Sequence, residues 1–207
     1  MSTPEGLLAA ARALAGRRVA HAEIVANKGG VGVAVERALG LKPRFDDIDD
    51  PVAGVELKTL PVSAAGAVNE DTYVTMASIE SLARETWATS RVRKKLACVL
   101  FVPVVHGAPG AGDDVVVGAG FLWRPSAAQE AQLRADWEDL ADLVAQGLGF
   151  AVRASRGRFL QLRPKARSSW HTREATVAGE AVVVRPQGFY LRRALTQALV
   201  RDAVIVA

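Results

Sequence analysis

Asp49, Glu56 and Lys58 form the pattern D-x6-E-x-K, and the last two lie in the run G-V-E-L-K-T-L-P-V, residues 54–62. Successive side chains on a strand alternate faces. Glu56 and Lys58 therefore share one face, while Val55, Leu57 and Thr59 share the other. Two carboxylates can hold a hard divalent ion through oxygen. An ammonium beside that ion can orient or help deprotonate an attacking water, or stabilise charge on a phosphate oxygen. These parts suit metal-assisted phosphodiester hydrolysis. The pattern alone also has a bland reading, because acid-x-base on a half-exposed strand is commonly a charge pair or a solvated face. The same plain reading covers Glu36 on a helix, Lys94 and Lys95 as solvated cations, and Tyr190 as a core ring. His21, His106 and His171 show no metal-ligand spacing.

The elements that must position these groups follow from punctuation and periodicity. Thr3-Pro4-Glu5 starts a helix, Leu7, Ala11, Leu14 and Ala15 give it a face, and Gly16 ends it. A second helix, 31–39, carries Glu36 and stops at Gly40. The irregular acidic segment 42–51 leads into the strand with Glu56. Alternation predicts a strand over 72–79, and a short basic helix opens at Ser90. The continuous apolar run 96–105 fits a central strand buried on both faces, and 115–123 reads as one further strand. Ser126 and Gln129 form a capping box for a helix with Leu133, Trp137, Leu140 and Val144 on one stripe, ending at Gly147. Beyond it the pattern predicts a hairpin turning near 155–157, a basic loop over 164–174, and a strand at 181–185. A P-Q-G turn and a last helix at 195–201 close the chain. Strands interleaved with helices indicate an α/β protein with a mixed sheet flanked by helices.

The 207 residues suit a single domain. No apolar run spans a membrane and the first residues lack a signal-peptide pattern, so the expected location is cytoplasmic. The lone cysteine, Cys98, reads as a buried inert thiol. Net charge is +4, unevenly spread: residues 151–207 hold 11 Lys/Arg against 3 Asp/Glu, and residues 1–150 hold 15 against 19. A basic C-terminal part suggests a polyanionic partner or, more plainly, a solvated basic surface.

Several blocks in order resemble the MutH family of DNA mismatch repair endonucleases: K-G-G-V-G-V-A-V-E (28–36), G-V-E-L-K-T-L-P-V, T-W-A-T-S-R-V-R-K-K-L, R-A-D-W-E-D-L, L-Q-L-R-P-K-A and G-F-Y-L-R-R. The resemblance runs from about Lys28 to the C-terminus. It implies a restriction-endonuclease-like fold with two lobes around a DNA-binding cleft, the catalytic lobe mainly 20–125 and the basic DNA-reading part mainly 150–207. It also implies a nick in the unmethylated strand at hemimethylated GATC sites, dependent on Mg2+ (with Mn2+ or Ca2+ able to bind in its place) and activated by MutL. Position by position, Asp49 and Glu56 become the metal carboxylates, with the Leu57 carbonyl as an extra ligand; Asp47 and Asp50 are the alternatives to Asp49. Lys58 becomes the catalytic lysine, Lys95 a second lysine near the scissile phosphate, and Glu36 an acid facing the site. Lys28 and Glu70 line the same cleft. Arg163, Pro164 and Lys165 match a loop that reads base edges, and Tyr190 a ring near the adenine amino group. The implied partners are double-stranded DNA containing GATC and MutL, with no membrane, and the implied state is a monomer. A restriction-type enzyme cutting both strands and a non-catalytic DNA-binding module are the competing readings.

Overall fold

The computed structural model describes residues 3–20, 30–41, 48, 53–77, 82, 84–146, 156–164, 173–177, 180–184 and 187–206. They form a mixed α/β protein that divides into two compact units. The first comprises Met1–Glu70, Lys95–Arg124 and Thr196–Ala207, and the second Asp71–Lys94 and Pro125–Leu195.

The first unit is built on β2 (Glu56–Ser63) and β4 (Val99–His106), which run parallel with Glu56 opposite Val99 and Lys58 opposite Phe101. Strands β1 (Arg18–Val19) and β5 (Val115–Val117) extend the sheet in the order β1-β5-β4-β2, and β6 (Phe121–Trp123) also pairs with β4. The one strand expected over 115–123 is thus two. The break falls opposite Pro103, whose missing N–H interrupts the ladder. Gly118 donates to the Pro103 carbonyl at 2.7 Å. A Cβ on Gly118 would stand 3.0 Å from that of Pro103, so the close approach needs glycine.

Helix α1 (Pro4–Ala13) is capped by Thr3, whose Oγ1 accepts the Gly6 N–H at 3.0 Å. It packs on β4 and β6. Helix α2 (Gly30–Ala38) packs on β2, where Gly32 lies against Thr59. The core between these helices and the sheet holds Leu7, Ala11, Val35, Leu57, Leu100 and Val102. Cys98 is buried beside it, and burial pushes its thiol pKa up, so it is a core group and not a nucleophile.

In the second unit β3 (Thr72–Ala77), β10 (Gln187–Leu191) and β7 (Leu160–Pro164) form an antiparallel sheet in that order. Helix α4 (Ala127–Ala145) packs on β7, capped by the reciprocal Ser126–Gln129 box. Its buried stripe holds Leu133, Trp137, Leu140 and Val144, as the spacing predicts, and also Asp136. The Asp136 carboxylate accepts the backbone N–H groups of Arg158, Phe159 and Leu160 at 2.6–3.0 Å and so fixes the turn into β7. Strands β8 (Arg173–Val177) and β9 (Glu180–Val184) pair as a hairpin. Arg173 and Glu174 are therefore strand rather than loop. Gln187 and Gly188 belong to β10 rather than to a turn, because they pair with β3 and β7 on both sides. The last helix, α5 (Arg193–Val206), is longer at both ends than its periodicity suggests.

Candidate active site and nucleic-acid interface

Glu56 opens β2, and its N–H donates to the Cys98 carbonyl at 3.0 Å. In a strand the N–H and C=O of one residue point the same way, and successive residues alternate. Glu56, Lys58 and Leu60 therefore direct their backbone polar groups at β4, and Leu57, Thr59 and Pro61 direct theirs at the outer edge. Along that edge Asn69 N–H donates to the Pro61 carbonyl at 2.9 Å and Ser63 N–H to the Ala67 carbonyl at 2.8 Å. Pro61 is tolerated in β2 because its missing donor lies on this outer side. The Leu57 carbonyl thus points away from β4, while the Leu57 side chain is in the core.

The Glu56 carboxylate is only 1% exposed. Lys58 Nζ meets its Oε1 at 2.5 Å, and Lys95 Nζ meets Oε1 at 2.9 Å and Oε2 at 3.0 Å. Lys95 comes from helix α3 (Arg91–Leu96), three residues before Cys98, whose carbonyl receives the Glu56 N–H. The parallel register of β2 and β4 thus delivers the second lysine to the acid. Burying such a carboxylate is tolerable only with charge and hydrogen-bond partners, and both lysines supply them. The bland reading of a half-exposed strand face does not hold at Glu56, which is buried, and Lys95 is buried where its neighbour Lys94 is exposed.

Glu36 lies half-buried on α2, directly after the buried Val35, and that helix covers the Leu57–Thr59 face of β2. Glu70 is exposed at the end of the first segment of the first unit. Lys28, Lys165 and all of Asp47, Asp49 and Asp50 fall outside the described residues. Among the described residues no three His, Cys, Asp or Glu side chains gather as a metal cluster.

The second unit presents a distinct surface. Phe189, Leu191, Leu160 and Leu162 are buried, while Tyr190 and Arg163 alternate with them and reach the other face of the sheet. Tyr73, opposite Tyr190, packs edge-on against it with ring centroids 5.4 Å apart. The Arg163 guanidinium lies 5.9 Å from the Tyr190 ring centroid, and Pro164 ends the strand, exposed. A Cβ on Gly188 would come within 2.9 Å of Tyr73 and 3.2 Å of Tyr190, so this pairing of rings requires glycine.

Residues 42–136, which include the Glu56–Lys58–Lys95 cluster, match the family model described as "DNA mismatch repair enzyme MutH". The chain is 41% identical over 175 residues to the DNA mismatch repair protein MutH of Serratia proteamaculans, covering 84% of this chain and 77% of the relative. It is 40% identical over 205 residues to that of Salmonella typhi, covering 93% and 89%. The chain belongs to the MutH family.

Within this MutH-family chain the sequence-identified residues Glu56, Lys58 and Lys95 converge, and Arg163 and Tyr190 converge separately. Tyr73, Gly188 and Asp71 were not singled out as functional by the sequence. The signal for Tyr73 was present in the alternation of T-Y-V-T, since an aromatic on the polar side of a strand marks a face with a use. Asp71 takes Arg163 Nη1 at 2.8 Å across 92 positions of chain, and no local pattern reports such a pair.

Proposed function

We propose that the protein is a Mg2+-dependent endonuclease of methyl-directed mismatch repair that nicks the unmethylated strand at hemimethylated GATC sites and is activated by MutL. It acts in the cytoplasm as a monomer. The observation that carries this reading is the buried Glu56 carboxylate clamped by Lys58 and Lys95 in a MutH-family chain. The donors suit a hard cation: the Glu56 carboxylate, the edge-facing Leu57 carbonyl and, on the family resemblance, the Asp49 carboxylate are all oxygen. When bound, the ion supplies Lewis acidity toward the phosphate and a more acidic water.

The chain's own residues do the rest. Lys95 engages both Glu56 oxygens and sets the carboxylate's plane. Lys58, 14% exposed, carries its ammonium from that carboxylate toward solvent. There its positive charge orients the attacking water and makes it more acidic, or neutralises a phosphate oxygen. On the family resemblance, Glu36 holds a water by hydrogen bond, and Lys28 and Glu70 belong to the same cleft. On the second unit, Arg163, at the end of β7 rather than in a loop, offers donors to guanine O6 and N7, as does Lys165 on the family resemblance, and Pro164 ends the strand beside Arg163. Tyr190 stands near the adenine N6 position, where a methyl group is rejected by contact.

A plasmid nicking assay tests the reading. Supercoiled DNA with unmethylated or hemimethylated GATC is converted to open circles with Mg2+, faster with MutL, while fully methylated plasmid survives. Absence of cleavage under all these conditions overturns the enzyme and leaves a DNA-binding module. Linear product from a dimer replaces repair by restriction.

A further inference from the structure

Asp71 directly precedes β3. Thr72 stands opposite Leu191 in the β3–β10 ladder, which puts Asp71 where β10 passes into α5. Its Oδ1 accepts the N–H of Arg193, the first residue of α5, at 2.8 Å. Its Oδ2 accepts Arg163 Nη1, also at 2.8 Å. Arg163 starts on β7, on the far side of β10, opposite Gly188. Its guanidinium therefore crosses the width of β10, over the Tyr190 ring, to reach Asp71. Both carboxylate oxygens are used, one for the helix and one for the arginine.

We propose that Asp71 is a positioning and specificity-determining residue for DNA recognition: it holds Arg163 across Tyr190 and offsets its charge until a base edge engages it. This rests on the reading of Arg163 and Tyr190 as DNA contacts. The pair is solvent-accessible, with Arg163 49% and Asp71 21% exposed, so it is weak enough to coexist with or yield to a ligand. A guanidinium has five donors in a rigid fork, and Asp71 takes one of its N–H groups, which leaves others directed at a guanine edge. Pre-setting a long side chain lowers the ordering cost of a correct contact. A fixed negative charge beside it penalises loose phosphate contacts made on any sequence.

Asp71→Asn separates the two roles. The amide oxygen still accepts from Arg193, but its NH2 meets the guanidinium donor to donor. Asp71→Ser is the second variant, a smaller neutral side chain that removes the charge facing Arg163. Melting is measured first, and whichever variant retains the parent's transition is carried forward. The readouts are the ratio of cleavage efficiency on GATC to that on a single-base variant site, and the salt slope of binding to duplex lacking GATC. The expected result is a ratio lowered about tenfold and a slope steeper by about one released ion, with Asp71→Glu restoring part of the ratio. In an Arg163→Ala background the Asp71 substitution has no further effect. Unchanged ratio and slope in the folded Asp71 variant overturn the proposal, as does an equal effect in the Arg163→Ala background. Arg163→Ala that binds and discriminates like the parent is a different failure, that of the interface reading itself.

Discussion

Replacing Glu56 by Gln tests the electrostatic arrangement at the head of β2 with almost no change of shape. The carboxylate is 1% exposed and makes three contacts of 2.5–3.0 Å with two ammonium groups. The amide keeps one acceptor and turns a donor toward the lysines. Removing one partner of a buried ion pair costs about 3–5 kcal/mol, mostly as the penalty on the charge left behind. For a chain of this length each kcal/mol moves the melting point about 2–4 °C, so a fall of roughly 6–20 °C is expected. Lys95→Met added to Glu56→Gln removes the more buried ammonium and fills its volume with an apolar chain, and at least half of the lost melting temperature returns. Cleavage is absent in both proteins, because the missing carboxylate is a proposed metal ligand. Calorimetry on parent, single and double variants reads the stabilities, and the plasmid assay reads activity. A single variant melting within about 2 °C of the parent, or a double variant less stable than the single, refutes the claim that Glu56 balances buried lysine charge.

Asp136→Ala leaves three backbone N–H groups without their acceptor before β7 and lowers stability by about 3–5 kcal/mol, read by urea unfolding. Gly188→Ala pushes Tyr73 and Tyr190 apart, because its Cβ would meet them at 2.9 and 3.2 Å; GATC duplex affinity falls, seen by fluorescence anisotropy, while the Glu56 cluster is untouched. Arg156 beside Asp139 holds that carboxyl below its ordinary 3.8. Because the folded value is depressed, the contribution is present above the ordinary value and is lost as pH falls through the depressed one. Arg156→Ala therefore narrows the stability difference between pH 6 and acid, and added salt does the same to the parent since the pair is exposed.

Much of this was legible locally. The strand alternation set Glu56 and Lys58 on one face, and they meet. The Thr3 and Ser126 caps act within three residues of chain, and the 3.6 periodicity of α4 gave its buried stripe. Lys95 was not legible as buried. In R-K-K-L it looks like its exposed neighbour, and only the parallel pairing of β4 with β2, 43 positions away at Glu56–Val99, gives it an acid to meet. The P-Q-G signal read as a turn because Gly and Pro usually punctuate. Here Gly188 serves a strand interior, where two tyrosines leave no volume for a side chain.

The sequence by itself determined the chemistry on offer: an acid and a lysine two residues apart on a strand, a second lysine on a basic helix, and an arginine and a tyrosine in the basic part. Tertiary structure alone decided which charges are desolvated and which are paired. Register between strands distant in sequence converts Glu56 from a surface acid into a buried one held by two cations, and brings Asp71 to Arg163. Alternation and capping act over a few residues and are written in local order. Burial and charge pairing depend on which distant segments share a sheet, and short-range pattern carries no record of that.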